Sequence, residues 1–340
     1  MTASRPTAIS AIVPVLDGEA VLPRSLAPLA EAVRRGEIAE LIVVDDGSTD
    51  ASARIAAGLG ARVLASGGRL GPGGARNRGA AVARGDFLWF VDADVVVHDD
   101  AAAVLARAFE DERVAAVFGT YDDAPGAPNF LSQYRNLLHR HHHLDAAGPA
   151  ETFWAGCGAV RAAAFAAAGG FDAARYPRPS VEDVELGLRL RALGFVILVE
   201  PRLEAKHLKE WHLANLVHTD VVHRALPWTK LMRQRRIPAV LNTRPAERWR
   251  AALAWILAMS IVAALAGVVS PIVPPALALA ALAANARLVR RFAQSRGPLF
   301  ALAAGLFHQV HYLYASAAFV VGTLSAALEG SRASRTSRRA

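Results

Sequence analysis

The chain reads as an α/β protein in two parts. A mostly parallel sheet flanked by helices fills the first two-thirds, and α-helical apolar segments follow Trp249. Three observations predict this. Short β-branched runs alternate with helix-period segments from Ile9 to Gly119. Glycines and capping residues punctuate them at the places where strands hand over to helices. The excess of apolar residues, which make up 53% of 340, is concentrated after Trp249.

Taken in order, Ile9–Leu16 and Leu41–Asp46 are strand runs separated by a helical pattern from Ala20 to Arg35, which is one βαβ unit. Gly47, Ser48, Thr49 and Asp50 supply turn and N-cap chemistry for a helix over Ala51–Leu59, and Arg62–Ala65 is a third strand. A glycine-rich loop, Gly67–Gly74, leads into a helix over Ala75–Arg84. Phe87–Val95, FLWFVDADV, is an apolar strand that stops at Asp92 and Asp94, and a helix at Ala101–Glu110 and a strand at Val114–Gly119 come next. Past Gly119 the alternation gives way to mixed helices and loops.

Charge and cysteine content narrow the setting. The net charge of +8 comes largely from arginines beside apolar runs, which suits an anionic membrane surface rather than nucleic acid. A single cysteine, Cys157, excludes an intramolecular disulfide and fits a reducing compartment. The first residues run into a strand without a secretory apolar core, so the catalytic part is expected in the cytoplasm, on the cytoplasmic membrane. Ala251–Val269 and Ala276–Ala286, joined across Pro271, Pro274 and Pro275, read as a membrane hairpin or a shallower re-entrant one, the alternative being a buried soluble helix pair. For Leu299–Leu328, crossing, bending back and lying in the interface all stay open. The expected division is a catalytic domain at 1–225, a basic amphipathic interface segment at 226–250 and a membrane region at 251–330. That region comprises the hairpin 251–286 and a third apolar helix 298–328, and a basic disordered tail occupies 331–340.

Two acids leaving a buried strand can hold a hard divalent cation, Mn²⁺ or Mg²⁺, and leave its other positions to diphosphate oxygens; such acids also cap turns. Further segments decide for the first reading. IVPVL, VVDDGSTD, GPGGARNRG, VDADV and VEDVELGLRL, in that order, resemble the family 2 glycosyltransferases of the GT-A fold, a Rossmann-like sheet, over about residues 8 to 230.

The resemblance implies a nucleotide diphosphate sugar donor, with Pro14, Asp45 and Asp46 at the base and ribose and Arg76 and Asn77 near the nucleotide. It implies Asp92 and Asp94 as the metal-binding pair, with Asp94 the direct ligand and Asp92 also facing the donor. His207 is either a third ligand or a packed histidine. Asp183, beside Glu182 at the start of a helix, is the implied general base, taking a proton from an acceptor hydroxyl in an inverting reaction. Trp154 and Gly156 lie in a segment that in the family borders the donor sugar and acceptor; Trp154 stacks on a sugar or packs in the core. Arg189 stands where processive synthases carry Gln-x-x-Arg-Trp, and the following Leu190 departs from that element, which favours single transfer. Asp17 and Gly18 replace the usual Asn-Glu pair. His139 and His141–His143 are read as a polar helix or loop near the acceptor entrance. The acceptor expected is a membrane lipid, lipid-linked or envelope glycan. A nucleotidyltransferase acting on sugar phosphates and a catalytically silent membrane scaffold are the alternatives.

Overall fold

Alternate residues of the central strands feed two separate apolar layers. Along β1 (Ile9–Val15), Ile9, Ala11, Val13 and Val15 pack on one side and Ile12 on the other. A strand covered on both faces reads as a continuous apolar run, which is why β1 shows no polar alternation. The computed structural model describes residues 8–234 and 245–337, in two units, Met1–Trp211 and His212–Ala340.

In the first unit β1 is followed by α1 (Leu22–Arg34), β2 (Glu40–Asp45), α2 (Ser52–Gly58), β3 (Arg62–Ala65), α3 (Gly71–Val82), β4 (Phe87–Val91) and β5 (Val95–Val97). Then come α4 (Ala101–Ala108), β6 (Val114–Tyr121), α5 (Phe130–Asp145), β7 (Gly148–Ala150), β8 (Cys157–Arg161), α6 (Ala162–Ala167), α7 (Glu182–Ala192) and β9 (Val196–His207). The sheet order is β3-β2-β1-β4-β8-β6-β9-β5, with β7 also on β9. Six strands share one direction, while β5, β7 and β8 oppose it, so the sheet is mixed but mostly parallel.

Three features differ from the sequence reading. The glycine-rich stretch is helical from Gly71, with Pro72 in the first turn, and Gly79 lets α3 lie close on the sheet. A Cβ there would sit 2.5 Å from Ile12 Cγ2. Beyond Gly119 the chain is well ordered into the sheet: β8 inserts antiparallel between β4 and β6, and β9 is a 12-residue strand. Neither shows in the alternation, because β8 is short and β9 carries Pro201.

The second unit consists of α8 (Leu213–His218), a π-helical stretch at Thr219–Ala225, α9 (Leu226–Gln234), α10 (Pro245–Leu265), α11 (Val273–Ala284) and α12 (Ala286–Ser337). The chain turns back within α12 at Gly297, φ 82°, so that Phe300 returns to Phe292 with ring centroids 6.0 Å apart. The unit boundary falls at Trp211 instead of residue 225. Of the segment read as basic and interfacial, 235–244 lies outside the described residues. The disordered tail read from 331 is helical as far as Ser337, and 338–340 lie outside the described residues. Among the described residues one helix, over Ala246–Leu265, is long and apolar enough to cross a membrane, and α11 is shorter.

Candidate active site

Strand register assembles the acids. Asp92 and Asp94 occupy a turn between β4 and β5, closed by Val95 N–H donating to the Asp92 carbonyl at 3.0 Å. β5 pairs with β9 so that Val95 faces His207, the last residue of that strand. This register sets His207 Nε2 3.5 Å from Asp94 Oδ2. Burial alone would raise the Asp94 carboxyl, but His207, with Lys209 nearby, holds it below its ordinary value. An oxygen and an imidazole nitrogen at this spacing fit a divalent cation such as Mn²⁺ or Mg²⁺, with room for outside oxygens because Asp94 is only half-buried.

Asp92 has a different partner. Arg76, on α3 and only 4% exposed, donates from Nη2 to Asp92 Oδ1 at 2.5 Å and from Nη1 to Glu182 Oε1 at 3.2 Å. Its guanidinium lies 5.5 Å from the centre of the Phe171 ring, and its Nε is buried with no partner among the described residues. Burial outweighs the Arg76 charge at Asp92 and, with Asp94 beside it, holds that carboxyl above its ordinary value. Arg76 therefore links the aspartate turn to the start of α7.

At that start Glu182 and Asp183 separate in role. Glu182 is buried, and its second oxygen accepts from Ser180 N–H at 2.8 Å, so both oxygens are engaged in holding the helix start. Asp183 is half-buried; Oδ2 accepts from Ala155 N–H at 3.2 Å and Oδ1 from Val184 N–H at 2.7 Å. Burial and the neighbouring Glu182 charge, opposed by Arg76 and the two N–H groups, push its carboxyl up to about 7. A carboxylate poised there is suited to accept a proton near neutral pH. The Ala155 contact arises because β8 lies beside β4, where Asp92 N–H donates to the Gly156 carbonyl at 3.1 Å.

An aromatic wall adjoins the metal-compatible pair. Tyr121, at the end of β6, stacks on His207 with centroids 4.4 Å apart and planes 9° from parallel. Tyr121 also meets His139 at 4.4 Å and the edge of Trp154 at 5.0 Å. His139 and His143, four residues apart on α5, face Trp154 together at 4.8 and 5.1 Å. Burial drives both imidazoles down, His143 to about 4 despite its contact with the Gly119 carbonyl, so they pack as neutral rings. Among the described residues no group of three or more His, Cys, Asp and Glu side chains is arranged to hold a metal. Tyr121 was not singled out in the sequence; the signal for it was its place as the last residue of an apolar run.

Other expected contacts are turned inward. Asn77 is clamped to Phe171, donating from Nδ2 to its carbonyl and accepting from its N–H, both at 2.8 Å. Arg189 was expected at the sugar or acceptor, but its guanidinium holds Glu185 one turn back and the carbonyls of Ala168 and Gly170. Asp46 is buried and accepts from Leu70 and Gly71 N–H, both at 2.8 Å, fastening the approach to α3. Asp45 Oδ1 accepts from Ser48 N–H at 2.8 Å within its own turn, and Pro14 is half-buried on β1. Asp17, at φ 51°, accepts from Thr49 N–H at 2.7 Å and so closes the first loop onto the second.

The sheet order, mostly parallel and flanked by helices, is that of a GT-A-like α/β fold. Residues 10–168 match the family described as glycosyl transferase family 2. A Mycobacterium tuberculosis protein named MT1568, uncharacterized, is 36% identical over 113 residues, 32% of this chain and 35% of its own length. Glycosyltransferase GlyG of Streptococcus pneumoniae is 33% identical over 87 residues, 24% of this chain and 29% of its own. The matches thus span about a third of these relatives. Among solved structures, the mannosyltransferase PcManGT of Pyrobaculum calidifontis, in complex with GDP-Man and Mn²⁺, superposes with a TM-score of 0.60 at 18% identity, over 93% of this chain and 88% of its own. GalNAc-T7 with UDP, GalNAc and Mn²⁺ gives 0.50 at 17% identity, over 68% and 48%. At these identities the two structures establish the fold.

Proposed function

We propose that the protein is an inverting, metal-dependent glycosyltransferase that moves one sugar at a time from a nucleotide diphosphate sugar to a membrane-associated acceptor. The observation that carries this reading is Asp183. It is a half-buried carboxyl held by two backbone N–H groups, raised to about 7, and joined through Glu182 and Arg76 to the aspartate turn. In this reading Asp183 accepts the proton of an acceptor hydroxyl as that oxygen bonds to the anomeric carbon. The bond from that carbon to the diphosphate breaks, and its electron pair leaves on the phosphate oxygen.

Asp94 and His207 are the residues that would hold a divalent cation, Mn²⁺ or Mg²⁺, whose chemistry when bound is to offset the charge of the departing diphosphate. Arg76 keeps Asp92 oriented, and Tyr121 fixes the His207 ring by stacking. Trp154 offers an aromatic face toward a sugar. Arg189 holds protein groups, and the sequence lacks the Gln-x-x-Arg-Trp element, which together favour single addition.

Membrane association rests on the second unit. No charged residue occurs from Ala251 to Ala286, and Ile256, Met259, Val262 and Leu265 are exposed along α10. Anionic lipid fits the arginines at the helix ends. In this reading the acceptor is lipid-linked and presented at the cytoplasmic face.

The test is to incubate detergent-purified protein with UDP-, GDP- and dTDP-sugars, Mn²⁺ or Mg²⁺ and membrane lipid extract, and to measure released nucleoside diphosphate. Release that depends on lipid and metal and is lost in Asp183→Asn is expected. Pyrophosphate formed from a nucleoside triphosphate and a sugar phosphate would instead select the nucleotidyltransferase reading.

A further inference from the structure

The hairpin of α10 and α11 separates charge from apolar surface along its length. Arg248 and Arg250 lie at its start and Arg287 and Arg290 just past its end, with no charged residue between Arg250 and Arg287. Arg250 Nε donates to the carbonyl of Ala284, the last residue of α11, at 2.9 Å, so these arginines gather at one end. Trp249, 78% exposed, sits among them, the mixture of aromatic and basic residues that suits lipid headgroups. At the other end the turn over 266–272 carries no charge. Val268 and Ile272 there are 75% and 73% exposed.

Length separates crossing from dipping. α10 taken alone is long and apolar enough to cross, but its first two turns hold Glu247, Arg248 and Arg250. Its charge-free part, 251–265, extends about 22 Å at 1.5 Å per residue. The return helix α11 has 12 residues, which extend about 18 Å against a hydrocarbon thickness of about 30 Å. A hairpin that crossed would also set its turn among the far headgroups. This turn is Ala-Gly-Val-Val-Ser-Pro-Ile, a composition for acyl chains.

We propose that α10 and α11 form a re-entrant hairpin that enters an anionic bilayer from one face and returns to it, with the arginines at the headgroups and the 266–272 turn among acyl chains. The inference rests on the membrane reading above and adds that the hairpin does not cross. Past the hairpin, the first half of α12 packs Leu288 and Phe292 against protein and leaves Arg287 and Arg290 exposed at the basic end.

The test uses the full chain in nanodiscs containing phosphatidylglycerol, where both bilayer faces are open to solvent. Ser270→Cys places a thiol at the exposed turn and Ala286→Cys one at the basic end. Native Cys157 is buried, and burial pushes its thiol up to about 12, so it stays silent. A charged maleimide is expected to label Ser270→Cys more than tenfold more slowly than Ala286→Cys in disc-bound protein, and a nitroxide at 270 is expected to relax with oxygen over a nickel chelate. Equal labelling on disc-bound protein puts the turn in water at the far face and overturns the proposal while leaving membrane association intact. Failure to enter discs, or self-association without lipid, removes the membrane reading itself. As a second variant, Ile272→Lys is expected to weaken partitioning onto phosphatidylglycerol vesicles at least tenfold; unchanged partitioning overturns the single-face geometry.

Discussion

The two units place their polar and apolar groups in opposite ways. In Met1–Trp211 the large apolar side chains are inside, Trp89, Phe87 and Phe90 among them, and the exposed ones are limited to Leu16, Leu70, Phe130 and Leu193 among the described residues. In His212–Ala340 the exposed set runs from Leu213 through Leu324, and the interior holds polar pairs as well as apolar side chains such as Leu257, Leu288 and Phe292. Tyr312 OH donates to Glu247 at 2.6 Å beside Asn285, and Tyr314 OH donates to Asp220 at 2.8 Å. Buried charge also differs in purpose. In the sheet unit Arg76, Asp92, Glu182 and Asp183 form the candidate active site; in the helical unit the buried polar pairs satisfy one another.

The predictions probe this contrast, beginning with the largest effect. Asp183→Asn is expected to lower the transfer rate by about 10²–10⁴-fold with an unchanged melting temperature; a rate within threefold of the parent, followed by nucleoside diphosphate release, would take Asp183 out of the mechanism. Arg76→Met leaves Asp92 and Glu182 facing each other without their shared cation. About 3–5 kcal/mol of stability should be lost in denaturant unfolding, and a loss under 1 kcal/mol would show that Arg76 holds the site less than its burial suggests.

Asp94→Ala is expected to weaken Mn²⁺ binding about a hundredfold by calorimetry, and chelation should abolish transfer until metal is restored. The pH profile follows from the sign of the Asp183 shift. A base must be ionised, so kcat/KM should rise about tenfold per unit up to about pH 7 and level off above it. A profile flat from pH 5.5 to 8 would assign proton transfer elsewhere. The smallest effect is in the other unit: Met259→Ser, at an exposed position on α10, should change stability in detergent by less than about 0.5 kcal/mol. A loss above 2 kcal/mol would mean that this face packs against protein.

Much of the site was legible because its chemistry lies in short motifs with local geometry. A buried strand ending in Asp-Ala-Asp and a helix beginning Glu-Asp point to themselves. The roles of Glu182, Asn77 and Arg189 were not legible, since each depends on a partner distant in the chain or supplied by a turn: Arg76, the Phe171 backbone, and the carbonyls at 168 and 170. Arg189 also has Glu185 one helical turn away, a local cue that points inward as readily as outward. Of the fold, the βαβ opening was plain from β-branched runs. The antiparallel insertion of β8 was hidden, because pairing direction is set by the whole sheet and leaves no mark on five residues.

The last strand has a consequence for synthesis. β9 pairs with β5, β6 and β7, and it delivers His207 to Asp94, so the candidate site has no complete form until residue 207 has been made. The first residue of α10 follows at Pro245. At 5–20 residues per second that interval is about 2–8 s, within the time in which sheets of this kind fold. A ribosome therefore releases the complete sheet unit before it begins to release the apolar helices α10 and α11. Order along the gene thus separates two folding problems that would interfere if the apolar helices came first.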